Sequence, residues 1–155
     1  MWEISRYLTE LRTKNVMIPF ANVITVSQDK TVERAAGLMA DNKIGCLPVV
    51  DERNVVMGII SEVDVLYVLQ EMLGLPSEGI RATMRMPDSA GEFAKLTAVL
   101  AKHEIGVMGI GTYPTPRREG YWDCVLKIRN VSEEGVRAAL ESVEGQEIID
   151  LRSVV

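Results

Sequence analysis

The spacing of apolar positions changes several times along the chain, and each change marks an element. Ile4, Tyr7, Leu8 and Leu11 recur at helical spacing and predict a short amphipathic helix over residues 2–12. Pro19 stops helix at Ile18. The β-branched run Val23–Val26 predicts a strand or extended segment. Thr31 is a good N-cap for a helix running to about Asn42, with Val32, Ala35, Ala36, Leu38 and Met39 inward. The apolar run from Ile44 to Asp51 predicts a buried strand, residues 51–54 a hairpin loop, and Val55 to Ile60 the return strand. Ser61, with Asp64 three residues on, opens a further helix to about Leu73. That helix is apolar on nearly every side from Val65 to Leu73, so its own sheet covers one face and a partner module is expected on the rest.

Two glycines and a proline within residues 74–79 predict a boundary. Beyond it, strands are predicted at Ile80–Met86, Ile105–Tyr113, Tyr121–Arg129 and Gln146–Val154. Helices are predicted at Glu92–His103 and from Glu133 to about Ser142, the second capped by Ser132. The order β-α-β-β-α-β is the split βαβ arrangement of ferredoxin-like folds, an antiparallel sheet with two helices on one face. Gly106, Gly109 and Gly111 inside one strand predict close approach by another backbone.

Composition narrows the function classes. Among 155 residues, 47% are apolar and 25% charged, with net charge −5, the profile of a globular domain pair. Each half is small enough that self-association is expected. The basic residues Arg6, Arg12 and Lys14, and the pair Arg117 and Arg118, are too sparse for a nucleic-acid surface. Cys46, Cys124 and the single histidine, His103, have no metal-ligand spacing, so no metal site is predicted. Both cysteines sit in apolar runs and are expected as buried free thiols. No leader-like apolar stretch opens the chain and none is long enough to span a membrane, so a cytoplasmic location is expected. His103 beside Glu104 reads as a helix C-terminal cation, not a catalytic dyad, and no nucleophile or phosphate-loop motif is present. An enzyme is not expected.

Three phrases stand in order in the first half: Val23-Ile-Thr-Val26, Ile44-Gly-Cys-Leu-Pro-Val-Val-Asp51 and Gly58-Ile-Ile-Ser-Glu-Val-Asp64. Together they resemble a CBS domain, the last phrase matching that family's Gly-x-x-Ser/Thr-x-x-Asp motif. The second half resembles an ACT domain, with Asp88-Ser-Ala-Gly91 where that family has Asp-x-Pro-Gly. The combination is similar to the C-terminal part of acetoin-utilisation-type CBS–CBS–ACT proteins. CBS domains come in pairs within a chain, and one copy is found here. The chain therefore looks like part of a longer parent or a protein that has lost its first copy. The implied organisation is α+β: residues 1–14 a remnant of the pair-linking helix, 15–74 a CBS unit, 75–79 a linker and 80–155 an ACT-like βαββαβ domain.

The resemblance implies an adenine-nucleotide site (AMP, ADP or ATP). Ser61 would meet a phosphate at the helix start, where unpaired N–H groups favour anions. Asp64 would accept from two ribose hydroxyls. The base would lie against Ile24 and Thr25 and the backbone of Ile44, Gly45, Cys46, Leu47 and Pro48. Capping alone explains the same Ser61–Asp64 spacing, and both readings stay open. In the ACT half the resemblance places an effector site at Asp88, Ser89, Ala90, Gly91 and Glu92 and at Gly106 and Val107. Ala90 replaces a proline there, and Gly106 stands where amino-acid-binding members carry Asn, so packing and dimerisation are the favoured role. The expectation is a ligand-sensing regulatory homodimer, joined through the Val65–Leu73 helix and the ACT sheet. A scaffold without small ligands is the alternative.

Overall fold

The computed structural model describes residues 9–75, 77–129 and 131–154. The predicted N-terminal helix falls mostly on residues outside these; Thr9 and Glu10 are helical. The chain divides into two compact units after Val65.

In the first unit a helical turn, α1 (Thr13–Val16), and a 3-10 turn (Phe20–Asn22) precede β1 (Val26–Ser27). The strand expected over Val23–Val26 is shorter and later than its β-branched run suggests. Val23 follows the 3-10 turn, and parallel pairing with β2 (Cys46–Val50) begins only at Val26↔Val49. Helix α2 (Val32–Asn42) starts where Thr31 Oγ1 accepts from the Arg34 amide and ends at Lys43 in the left-handed region. β3 (Val56–Ser61) pairs antiparallel with β2. In the connecting loop Asp51 Oδ1 accepts from the amides of Arg53 and Val55, an Asx turn that fixes the hairpin. Val26, Ala35, Met39, Leu47 and Val65 form a small buried core. Fully burying a side chain such as Met39 or Leu47 contributes about 1.5–3 kcal/mol, so so few residues give a thin core.

Helix α3 (Glu62–Met72) follows β3 without a loop. Val65 is its one buried residue, while Leu66, Tyr67, Leu69 and Met72 are exposed.

The second unit is ferredoxin-like. β4 (Gly79–Pro87), α4 (Glu92–Lys102), β5 (Gly106–Pro114), β6 (Tyr121–Arg129), α5 (Glu133–Glu141) and β7 (Glu147–Val154) follow in the predicted order. The sheet runs β5-β6-β4-β7, with every pairing antiparallel. Ser132 caps α5 by accepting from the Gly135 amide. Alternation on β4 and β6 sends Ala82, Met84, Cys124, Leu126 and Ile128 toward Leu96, Leu100, Val136 and Leu140 of the helices, all buried.

The other face of this sheet is polar yet partly covered. Arg85 grips Asp123 on the paired strand with two hydrogen bonds, 2.8 Å and 3.0 Å, and Thr115 donates to the same carboxylate at 2.8 Å. Arg81 reaches Asp150 at 3.1 Å. The chain leaving α3 crosses this face. A Cβ at Gly109 would stand 2.3 Å from the Leu73 carbonyl carbon. The close approach predicted from the β5 glycines is therefore made at Gly109 by the same chain's Leu73–Gly74, while Gly106 meets only the Arg129 side chain. The glycine spacing told of a near backbone but not of whose it was.

Candidate functional site

Pairing of β2 with β3 sets the first candidate site. Cys46 lies opposite Ser61, Leu47 opposite Ile60 and Pro48 opposite Ile59. Because side chains alternate across a strand, Cys46, Pro48, Ile59 and Ser61 share the sheet face away from the core. Leu47 points the other way and is fully buried, so only its backbone can belong to a site. Cys46 is exposed, which corrects the expected buried thiol: a continuous apolar run hides the alternation that puts residue 46 outside and 47 inside. Cys124 is buried as expected, and the apolar surroundings push its thiol up to about 11.

Ser61 and Asp64 form a reciprocal capping box at the start of α3. Asp64 Oδ2 accepts from the Ser61 amide at 2.8 Å and from the Ser61 hydroxyl at 2.6 Å, and Ser61 Oγ accepts from the Asp64 amide at 3.3 Å. The Ser61 hydroxyl, and then its amide, hold the Asp64 carboxyl below its ordinary value. The Glu62 amide donates to the Gly45 carbonyl at 3.0 Å, tying the helix start to the head of β2. The amides of Ser61, Glu62 and Asp64 are thus occupied, and the lone Ser61 hydroxyl proton is committed to Asp64. Two acidic residues, Glu62 and Asp64, stand in the first turn. This helix start is a poorer phosphate seat than the motif alone suggests. The carboxylate offers more: both bonds fall on Oδ2, leaving Oδ1 without a partner among the described residues. Ile24 and Ile44 are half-buried against the core, and Thr25 lies directly before β1.

In the ferredoxin-like unit Asp88, Ser89 and Glu92 line a cavity of about 370 Å³, together with Phe93, Ile110–Thr112 and Trp122. Glu92 is buried. Lys95 Nζ meets its Oε1 at 2.6 Å, and Gln146 Nε2 donates to its Oε2 at 3.2 Å and to its carbonyl at 2.7 Å. Lys95, then Gln146, hold its carboxyl below the ordinary range. Ala90 and Gly91 shape the turn without lining the cavity, Gly91 at φ +93 as the α4 N-cap. Gly106 and Val107 are not brought to it. β5 starts at the sheet end where Gly106 pairs with Arg129, whereas the Asp88 turn sits at the end where Pro87 pairs with Tyr121. The residues sequence reasoning missed are Ile110–Thr112 and Trp122, which the antiparallel return of β5 and β6 carries to that turn.

Residues 14–71 match the CBS domain family. The chain carries a CBS domain. Alongside this match, an uncharacterized protein of Methanocaldococcus jannaschii is 43% identical over 54 residues, 35% of this chain and 13% of its own length. This chain thus spans about an eighth of that relative. The crystal structure of the cytosolic domain of the Mg2+ channel MgtE in complex with ATP is 42% identical over 37% of this chain and 22% of its own, with TM-score 0.34. The ACT domain from the GTP pyrophosphokinase of Chlorobium tepidum covers 50% of this chain and all of its own at 16% identity and TM-score 0.36. No helix among the described residues is long and apolar enough to cross a membrane.

Proposed function

We propose that this chain is a regulatory module whose CBS domain binds an adenine nucleotide on the Cys46–Pro48/Ser61–Asp64 face, while the ACT-like domain carries a second effector site. The observation that supports it is the free Oδ1 of Asp64, on an exposed carboxylate whose other oxygen is already fixed by Ser61. A carboxylate held in place by one oxygen presents the other in a defined direction, as recognition of a ribose hydroxyl requires. The base would rest on the backbone from Ile44 to Pro48 and beside Ile24 and Thr25. With the Ser61, Glu62 and Asp64 amides occupied, the nucleoside part carries the recognition. Phosphate contact would require the Ser61 hydroxyl to turn away from Asp64.

The exposed half of α3 supports the assembly part of the proposal. Val63, Leu66, Tyr67, Leu69 and Met72 leave an apolar helix face open to water, and a second copy would cover it. A ligand effect on that assembly needs different affinity in two states. In the ACT-like domain the Asp88–Glu92 cavity is the effector position, with Asp88 as its free acid. Gly106 and Val107 would enter only through another surface.

Calorimetric titration of the chain with adenosine, AMP, ADP and ATP tests the nucleotide site. Asp64→Asn keeps an acceptor for the Ser61 amide, so the fold should stay intact, while affinity falls roughly 10- to 100-fold through loss of a charged hydrogen-bond partner. Adenosine should bind within about tenfold of AMP, since the capped, acidic helix start offers the phosphate little. Absence of heat for all four ligands would contradict the proposal and favour a scaffold.

A further inference from the structure

Lys127 occupies the middle of β6, on the sheet face away from the helices, and is only 3% exposed. Lysines in strands ordinarily lay the stem on apolar surface and keep the amine in water. Here the chain leaving α3 covers the stem, while the amine keeps contact with water. Gly74, at φ +71, comes so close that a Cβ there would stand 2.9 Å from Lys127 Cγ, and Gly109 admits Leu73 beside it. Among the described residues no carboxylate pairs with Lys127 and no acceptor is bonded to its amine. The nearby guanidinium of Arg81 is occupied by Asp150 and Thr83. A cation with a covered stem and no partner is held in one place and is free to pair with an anion that enters beside it.

Lys127 lines a cavity of about 300 Å³ whose other walls include Leu73, Leu75, Arg81, Val125 and Val154. Two leucines, two valines and Tyr113 make much of the wall apolar, and the Lys127 cation is uncommitted. We infer that this cavity is a binding site for a small monocarboxylate with a short aliphatic body, the carboxylate pairing with Lys127 and the body resting on the leucine and valine side chains. Such a ligand sets an opposite charge beside Lys127 and fills the apolar space, and the volume sits at the small end of the range for organic-ligand pockets. The site shares Gly111 and Thr112 with the Asp88–Glu92 cavity but none of its acidic residues, and it does not depend on that reading or on the nucleotide reading.

Sodium hexanoate titrated into the full chain, with 1-hexanol and inorganic phosphate as controls, tests it. Hexanoate is expected to bind at least about tenfold more tightly than either control, because the first control lacks the charge and the second the apolar body. Lys127→Met should erase the advantage of hexanoate over hexanol. Should that variant not fold, Val125→Phe narrows the cavity while keeping the lysine and should weaken hexanoate, and the Lys127 Cε resonance of the unsubstituted protein should move on hexanoate addition. Equal binding of hexanoate and hexanol, phosphate binding as tight as hexanoate, a Lys127 resonance that stays still, or no saturable hexanoate binding would overturn the assignment.

Discussion

Single charged residues on the ferredoxin-like sheet do more than strand patterning suggests. Asp123 is almost fully buried, and Arg85, helped by Thr115, holds its carboxyl below the ordinary value of 3.8. Its folded value is depressed, so its contribution to stability is complete above the ordinary carboxyl value and drains away as pH falls through the lower folded one. Asp123→Asn should cost about 1.5–3 kcal/mol at neutral pH, the worth of hydrogen bonds to a charged group. The gap to the unsubstituted protein should close on acidification. Chemical denaturation at a series of pH values checks this, and a gap that widens in acid would contradict it. Neither Asp123 nor Lys127 could be singled out in the sequence. An isolated charge alternating with Cys124, Leu126 and Ile128 reads as solvated, and only the fold shows Arg85 opposite one and the Leu73–Gly74 segment over the other.

Among the elements, those with regular alternation or good caps were legible. β4 and β6 alternate, Thr31 and Ser132 cap their helices as predicted, and the split βαβ order follows directly. Elements set by pairing were less so. β1 is defined by its parallel partner and starts at Val26, and the outward turn of Cys46 is invisible within an apolar run. Helix α3 reads as too apolar for one neighbour, and Leu66 and Tyr67 are exposed. Under the proposed pairing of two copies through α3, Leu66→Glu or Tyr67→Glu should weaken self-association by about tenfold or more, since each removes a large apolar contact and adds an unpaired charge. Sedimentation velocity over a concentration series reads this directly. A chain that stays monomeric, or a substituted chain that associates like the original, would contradict the proposed role of α3.

At the scale of the whole molecule, the two units differ in how much they bury. The ferredoxin-like unit packs a layer of large aliphatic side chains between sheet and helices, while the buried core cluster of the CBS domain has five residues, three of them alanine or valine. A ligand that binds only the folded form stabilises it by mass action, and that fixed increment is a larger share of a thin core's stability. The candidate site was half legible. The motif pointed to Ser61 and Asp64, but their mutual hydrogen bonds, which occupy the hydroxyl and free one carboxylate oxygen, depend on the rotamers the helix start imposes. The most direct measurement is an amide NMR map of the chain titrated with AMP. The account predicts saturable shifts at Cys46 and from Ser61 to Asp64, lost in Asp64→Asn, with the strands β4 to β7 unmoved. AMP that leaves the Ser61–Asp64 amides where they are, or that moves them equally in the substituted chain, would contradict it.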